Sequence, residues 1–377
     1  MPHPHFSFDI AIIGAGLGGT SAALALARRG YNVALLEAGK AGRHKVCGEF
    51  VSPESQQTFA RLGVAKAIAD TGAMAVSHAR ILTSQRVGAA MPLPASGFAL
   101  SRQKLDELMW YMCLENGVTA SENARVGHIE TLAEGYRLGI GADKNIKSWI
   151  EARFVIDASG RNARVGNQAR ATTKMRRFVG FKTHLRGAKV PNGEVQMFPF
   201  RGGYCGLVGI GDGLVNACLL ASYERTRGQK PEQFWANIGA ENRALGRAVA
   251  HATPAFAWLA TANVSFEQRA PITDDGLLRT GDAAGYIHPL SGDGMAMAVR
   301  SGELAAATLG AALDGGLKRA DVAPLYAASW QREFGRRLDW ATRLQPLFVV
   351  PNLTLPALRF FDRAPALGAL MLRATRG

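Results

Sequence analysis

The order of apolar and polar positions predicts a strand, a helix and a second strand at the start of the chain. The segment Phe8–Ile13 is rich in β-forming and apolar residues, and Ala22–Arg29 is strongly helix-forming. The next apolar run, Asn32–Leu36, has the length of a buried strand. The chain therefore opens with a predicted β-α-β unit, in which the two strands run parallel.

Regular alternation of strands and helices stops after this unit. The pattern is β-like from Arg80 to Leu100, helical over Arg102–Asn116, and β-rich with several turns from Phe178 to Leu220. A strand at Gly276–Arg279 and a helix over about Ala296–Leu313 restore the earlier pattern. The sequence thus predicts an α/β fold with two discontinuous domains, one of them an inserted antiparallel sheet.

Glycines occupy the turn between the first strand and the first helix. Gly14, Gly16 and Gly19 form a G-x-G-x-x-G, and Glu37 follows Gly19 by 18 residues at the end of the second strand. Bare backbone N–H groups at a helix N-terminus favour a phosphate, and an acidic residue at this distance can accept a ribose hydroxyl. The context predicts a dinucleotide site.

A second cluster of glycines, Gly209–Gly213, does not repeat this pattern. It is followed by the extended apolar run Leu214–Leu220 and not by a helix. We interpret it as a hairpin turn. The sequence therefore contains no second nucleotide fold.

Composition narrows the class of protein. Its 377 residues are 47% hydrophobic and 20% charged, as in a globular protein with a large core. The four cysteines contain no C-x-x-C pair, and the eight histidines show no metal-binding spacing, so we expect free thiols and no metal site. No secretory pattern precedes the first strand, which predicts a cytoplasmic protein.

A net charge of +14 is compatible with several anionic partners, namely nucleic acid, anionic lipid and acidic small molecules. The arginines are dispersed and no nucleic-acid module is present, so nucleic acid is not expected. The charge-free stretches Ile10–Ala27 and Ala248–Phe266 are broken by glycines or polar residues and do not fit membrane spans. The apolar segment Leu344–Leu358 continues into arginines, which suits a packed tail, a contact with a membrane surface or a cap over an apolar substrate.

Four separated segments together resemble FAD-dependent enzymes of the p-hydroxybenzoate hydroxylase fold, in particular their geranylgeranyl reductase and halogenase-like branches. The segments, spread over about residues 6 to 310, are the glycine motif with Glu37, the S-R-x-x-L-D of Ser101–Asp106, the D-A-S-G-R of Asp157–Arg161, and the G-D-A-A-G-x-x-x-P-x-x-G-x-G of Gly281–Gly294. The resemblance implies a Rossmann-like FAD-binding domain of the GR2 type, an antiparallel-sheet substrate domain and a helical C-terminus. The domain boundaries predicted are 1–75, 96–175 and 270–330 for the FAD-binding domain, 76–95 and 176–269 for the substrate domain, and 331–377 for the C-terminal helical tail.

The resemblance also implies roles for individual residues in holding FAD. Arg102, at a helix start, can donate charge-assisted hydrogen bonds to a phosphate or ribose. Asp282 would hold hydroxyl groups of FAD, and Asp157 belongs to the same predicted cofactor set. The last members of this set lie at the start of the late helix, where backbone N–H groups would face the N1–C2=O edge of the flavin: Gly292, Gly294 and Met295.

Residues with possible chemistry lie in two of these segments. Cys47, followed by Gly48 and Glu49, corresponds to a C-G pair near the flavin in the reductase branch, while the G-E-x-x-x-P beginning at Gly48 also occurs in the halogenase branch. We therefore predict that Cys47 binds the cofactor and takes part in catalysis. His288 and Pro289 are the other predicted catalytic residues, with His288 as a candidate acid–base group.

The reaction itself stays open between several classes. No two of the six tryptophans lie two residues apart, so the W-x-W-x-I-P of flavin halogenases is absent. The aromatic side chains of Phe198, Phe200 and Tyr204 are predicted to line an apolar pocket. We expect NAD(P)H-driven hydroxylation of an apolar, aromatic or polyketide-like substrate. Because the chain has no second nucleotide fold, the flavin would be reduced by NAD(P)H or by a separate electron-donor reductase. C=C reduction of a prenyl lipid and a non-catalytic nucleotide-sensing role are the alternatives.

Overall fold

The computed structural model describes residues 7–84, 88, 90–142, 145–161, 178–264, 269–285 and 292–349. These residues form two sheets with helices packed against them. The α/β class and the insertion of a second sheet, both predicted from the sequence, are confirmed.

The first sheet is built on a parallel core. Its strands are β1 (Phe8–Ile13), β2 (Val33–Leu36), β6 (Thr119–Ser121), β7 (Val126–Thr131), β8 (Tyr136–Ala142), β9 (Asn145–Asp157) and β16 (Leu278–Arg279). The spatial order is β6-β2-β1-β9-β8-β7, and β16 pairs in parallel with the end of β9. Strands β1, β2, β6 and the end of β9 run parallel, so their carboxyl ends meet at one edge, where such sheets bind ligands.

The second sheet is largely antiparallel. Its strands are β3 (Phe50–Val51), β4 (Met74–Ile81), β5 (Met91–Ala99), β10 (Phe178–Arg186), β11 (Glu194–Phe200), β12 (Gly203–Gly209), β13 (Leu214–Ser222), β14 (Thr253–Pro254) and β15 (Leu259–Val264). The order is β14-β10-β13-β12-β11-β4-β5-β3, with β15 also on β10. The glycine cluster between β12 and β13 is the hairpin turn that we predicted. Among the described residues of this sheet, β4 and β11 are the only strands that pair in parallel.

Nine α-helices are described: α1 (Leu17–Ala27), α2 (Ser55–Arg61), α3 (Ala65–Asp70), α4 (Arg102–Glu115), α5 (Tyr223–Thr226), α6 (Pro231–Glu241), α7 (Arg243–Ala248), α8 (Gly294–Leu313) and α9 (Arg319–Val349). Helix α8 packs closely on α1, because a Cβ on Gly302 would lie 2.2 Å from the carbonyl oxygen of Gly18. This contact brings the N-terminus of α8 beside that of α1.

The two faces of the second sheet have different neighbours, as the two-residue period of a strand requires. One face packs on helices α6 and α7, and its core includes Phe181, Phe198 and Leu219 with Phe234 of α6. The opposite face carries Lys182, which bonds to Glu49 next to β3. Glu49 also accepts from the backbone N–H of Arg102 at the start of α4, a helix that packs on the core of the first sheet, so this second face points toward α4.

The predicted domain boundaries stay a prediction. The strand β3 falls at residues 50–51 and nevertheless belongs to the second sheet, while α9 begins at Arg319, before the predicted start of the tail. Among the helices of the described ranges, none is long and apolar enough to span a bilayer. Most of the apolar and basic C-terminus, residues 350–377, lies outside the described residues.

Candidate active site

The glycine loop between β1 and α1 forms an open cradle. Gly14 has φ +100°, in the left-handed region, and a Cβ there would lie 2.5 Å from the carbonyl oxygen of Ala158. A Cβ on Gly19 would lie 1.9 Å from the carbonyl oxygen of Gly14. Gly16 precedes the first helical residue of α1. These glycines let the turn pack tightly and leave the helix N-terminus clear for a phosphate.

Glu37 lies where the sequence predicted an acid for a ribose. It follows β2, is 6% exposed, and its Oε2 accepts a hydrogen bond from the Ala15 N–H at 2.9 Å. Its Oε1 accepts from the Gly39 N–H at 3.1 Å. The carboxylate is thus fixed against the glycine loop.

Two cations lie at the N-terminus of α1. The Nζ of Lys45 is 3.7 Å from the position that a Cβ on Gly16 would take, and it donates to Asp106 at 2.6 Å. Arg102, the first residue of α4, donates twice to the same carboxylate, at 2.9 Å each. Two positive charges beside a positive helix end favour a bound anion, such as the pyrophosphate of FAD. The sequence analysis predicted Arg102 but missed Lys45.

Asp106 holds these two cations in place. Burial of this side chain would raise its pKa, but Arg102 and Lys45 outweigh burial and lower it. For Arg102, burial opposes the charged form, and the Asp106 carboxylate and the Cys47 sulfur overcome this effect and raise the pKa. Both groups therefore stay charged.

Two aspartates predicted to bind FAD lie at the ends of strands that meet at the carboxyl edge. Asp157 is fully buried; its Oδ1 accepts from the Ser159 N–H at 3.0 Å, while its Oδ2 has no hydrogen-bond partner among the described residues and lies 3.8 Å from Nε of Arg279. Burial raises the pKa of Asp157 and also that of Asp282, where the cations of Arg161 and Arg102 oppose the effect. Carboxylates in such surroundings fit donors from a ligand, for example hydroxyl groups.

Cys47 meets residues that are distant in the sequence. Its sulfur lies 3.8 Å from the sulfur of Met295, near the start of α8, and accepts from the Glu49 N–H at 3.4 Å. It is also one of the groups that raise the pKa of Arg102. A Cβ on Gly48 would meet no atom within 4 Å. The structure therefore brings three predicted cofactor-binding residues together at the start of α8.

The loop before α8 is held on both sides. Gly292 has φ +67°, and a Cβ there would lie 3.0 Å from the ring of Phe50. The buried carboxylate of Asp293 accepts from Ser52 at 3.2 Å and from Arg337 of α9 at 3.3 Å. Gly294 then begins α8. The backbone that is predicted to face the flavin is thus fixed by neighbouring elements.

A buried ionic cluster that was not predicted from the sequence lies behind Cys47. Glu49 accepts from Lys182 at 2.5 Å and is 2.7 Å from His184 Nε2. Burial would raise the pKa of Glu49, but the hydrogen bond from His184 and the charge of Lys182 hold it below its usual value. One signal was available, because Lys182 and His184 lie two residues apart, and so on one face, in a strand that begins with four glycine or apolar residues.

The structure corrects the predicted positions of Phe198 and Phe200. Both side chains are buried in the core on the helix side of the second sheet, where Phe200 lies edge to face with Phe234. Tyr204 lies on the opposite face, where it packs with Leu220. Strand alternation puts Phe198 and Phe200 on one side and Met197 on the other, which apolar character alone did not reveal.

The predicted catalytic residues His288 and Pro289 lie outside the described residues. Within the described part of the chain, no group of three or more His, Cys, Asp or Glu side chains is arranged to hold a metal ion. All four cysteines are free thiols.

We expect Cys47 to be the first thiol to react with iodoacetamide in the apoprotein. Cys113 and Cys205 are fully buried, and burial raises the pKa of Cys218 to about 12, so these thiols stay neutral at pH 8. Cys47 is partly exposed beside the cradle. Peptide mass spectrometry at increasing times gives the order, and FAD is expected to slow alkylation of Cys47. Earlier labelling of Cys218 would contradict this arrangement.

Comparison with known proteins agrees with this geometry. Residues 7–323 match the family model described as FAD binding domain. The chain is 26% identical to digeranylgeranylglycerophospholipid reductase 2 of Methanopyrus kandleri, over 90% of this chain and 86% of that protein. It is 24% identical to menaquinone reductase of Mycobacterium tuberculosis, over 98% and 88%. The solved structure of a flavin-dependent brominase covers 98% of this chain and 93% of its own with a TM-score of 0.82, at 17% identity.

Proposed function

Because this chain belongs to the FAD binding domain family, we propose that it uses FAD to reduce carbon–carbon double bonds in a prenyl-like, apolar substrate. That it is an FAD-dependent oxidoreductase follows from its family and relatives. The substrate class and the reaction are our proposal. Of the alternatives left open by the sequence, C=C reduction is the one that the named reductases among its relatives favour.

One observation carries the proposal: a partly exposed, apolar row on the face of the second sheet that points toward α4. Met197, Gly206 and Cys218 are direct cross-strand neighbours on β11, β12 and β13, and the row ends at the buried Lys182 of β10. These strands lie inside the sheet, yet all three residues are partly exposed. Interior strands are exposed on one face only where that face is left uncovered, so we interpret the row as the floor of a pocket.

The chemistry of this floor suits an alkyl or prenyl chain. A Cβ on Gly206 would come no closer than 3.5 Å to its nearest neighbour, the Met197 sulfur, so the floor is flat at its centre. The raised pKa of Cys218, about 12, keeps this thiol neutral and weakly polar. Leu220 and Tyr204 form the next cross-strand pair and extend the apolar surface.

Cys47 connects this floor to the cofactor cradle. The carbonyl oxygen of Cys47 accepts a hydrogen bond from Asn216 of β13 at 3.1 Å, while its sulfur lies 3.8 Å from that of Met295 and helps to raise the pKa of Arg102. When bound, FAD that has received electrons from NAD(P)H or a reduced carrier protein supplies a hydride equivalent. The chain's own residues would hold the cofactor phosphates with Lys45 and Arg102 and exclude water with the apolar floor.

Anaerobic turnover tests the proposal. Purified FAD-loaded protein, reduced with NAD(P)H or dithionite, is incubated with digeranylgeranylglycerophospholipid or menaquinone, and products are analysed by mass spectrometry. We expect a gain of two hydrogen atoms for each double bond reduced. Gly206→Phe should raise KM about tenfold or more, because the phenylalanine ring would occupy space above the floor and weaken substrate binding by over about 1 kcal/mol. FAD affinity is expected to stay unchanged.

Other results would contradict C=C reduction. Oxygen uptake stimulated by an apolar substrate, with a hydroxylated product, would establish the oxygenation that the sequence also allowed. A colourless protein that binds adenine nucleotides without reducible flavin would indicate a nucleotide sensor. Normal turnover by Gly206→Phe would move the substrate away from the proposed floor.

A further inference from the structure

The ionic cluster of Glu49, Lys182 and His184 lies behind the cofactor site and contacts it only through other residues. Lys182 and Glu49 are fully buried, and His184 is 3% exposed. Protein atoms alone are enough to bury these side chains. The cluster is therefore placed to position other groups, and not to contact the flavin or a substrate.

Glu49 joins two other elements, β10 and α4, through one carboxylate. Its Oε1 accepts from Lys182 of β10 and, at 2.7 Å, from the backbone N–H of Arg102 at the start of α4. Its Oε2 pairs with His184 of β10. A negative charge at a helix N-terminus is favourable, so Glu49 fixes the end of α4 that presents the Arg102 side chain.

The backbone at Glu49 explains why this anchoring is needed. Glu49 has φ +56°, in the left-handed region that residues other than glycine rarely adopt. Such a conformation is unfavourable for a residue other than glycine and persists only where neighbours impose it. The turn directs the Cys47 sulfur toward Arg102 and Met295, and Asn216 of β13 fixes its carbonyl group.

The cluster is also packed by aromatic rings on its second-sheet side. His44 lies edge to face with His184 at 5.1 Å and is stacked on Phe256 at 4.2 Å. Burial, together with the nearby charge of Lys182, lowers the pKa of His44, which favours its neutral form. The residues that follow His44 along the chain, Lys45 and Cys47, reach the cofactor cradle.

We infer that Glu49, Lys182 and His184 are positioning residues through which the second sheet fixes the Lys45–Cys47 segment and the start of α4 against FAD. The affinity for FAD and the spectrum of the bound flavin then depend on an ion pair that does not contact the cofactor. The inference rests on the FAD site and not on the proposed substrate, so it can fail or succeed independently of C=C reduction.

The double variant Glu49→Gln/Lys182→Met tests this role. Replacing both members of a buried ion pair by neutral groups of similar size is often nearly neutral for stability, whereas replacing one member leaves a buried charge unpaired. We expect the apoprotein to melt close to the wild-type temperature. FAD affinity, measured by quenching of flavin fluorescence, is expected to fall about tenfold, equivalent to about 1.4 kcal/mol. The visible spectrum and the midpoint potential of the bound flavin should shift as well.

A matched control uses a second ion pair of the same sheet. Arg80 and Glu194 join β4 to β11 at 3.0 Å, and Glu194 is also buried. The variant Arg80→Met/Glu194→Gln is expected to keep wild-type FAD affinity and flavin spectrum. Equal losses of FAD affinity in both double variants would mean that the cluster only stabilises the fold, and would overturn the inference.

Two further results decide the outcome. Wild-type affinity and spectrum in Glu49→Gln/Lys182→Met would overturn the positioning role. If that variant does not fold, Lys182→Met alone keeps the contact between Glu49 and His184, and we expect a smaller loss of FAD affinity, about threefold, with a spectral shift in the same direction. An unchanged spectrum and affinity in the folded single variant would likewise reject it.

Discussion

Substitution of Gly19 by alanine is expected to lower the affinity for FAD at least about 100-fold, equivalent to about 2.7 kcal/mol. The new Cβ would lie 1.9 Å from the carbonyl oxygen of Gly14, a distance that no relaxed structure accepts. Alanine is a better helix former than glycine by about 1 kcal/mol, so propensity alone predicts a more stable α1. The cost of the clash is larger than this gain. Because the clash is with backbone atoms, the glycine loop must move, and the N–H groups that face the phosphate move with it.

The measurement is a titration of apoprotein with FAD, followed by flavin fluorescence. Gly209→Ala is the matched control, because a Cβ at this position meets no atom within 4 Å and the backbone needs no left-handed φ. The control is expected to bind FAD as tightly as the wild type. A Gly19→Ala protein that binds FAD within threefold of the wild-type affinity would refute the packing of this loop.

The cofactor half of the molecule could be predicted because its chemistry depends on short segments. Glycines at 14, 16 and 19 and the acid at 37 have fixed spacing, since a strand, a tight turn and a helix leave little freedom between them. Cys47, Arg102 and Met295 could be assigned to one site only through the family resemblance. Their mutual contacts are long-range, and the packing of α8 on α1 that creates them depends on small residues such as Gly302.

The substrate half was predicted less well for a physical reason. Residues of the second sheet were identified by apolar character, but the side of a strand that faces a pocket depends on register. Phe198 and Phe200 share a face with Phe181 toward the helices, whereas Met197 and Tyr204 face the other way. The same alternation placed Lys182 beside Glu49, a contact between residues 133 positions apart that no local pattern encodes.

The variant Asp282→Asn is expected to change apoprotein stability and cofactor affinity in opposite directions. Burial raises the pKa of Asp282 above its ordinary value of 3.8. A raised native pKa contributes stability that is present below the unfolded pKa and lost as the pH rises through the native pKa. At pH 7 the wild-type apoprotein carries this cost, and the neutral amide of the variant removes it.

We therefore expect the Asp282→Asn apoprotein to unfold at a higher denaturant concentration at pH 7, with a gain of about 1 kcal/mol, and to lose this advantage below about pH 4, where both side chains are neutral. FAD affinity should fall about tenfold, because charge-assisted bonds from ligand hydroxyl groups become neutral ones. Asp275→Asn is the control: its side chain is exposed, and we expect neither change. A variant less stable than the wild type at pH 7 would mean that Asp282 is paired within the apoprotein and is not held ready for FAD.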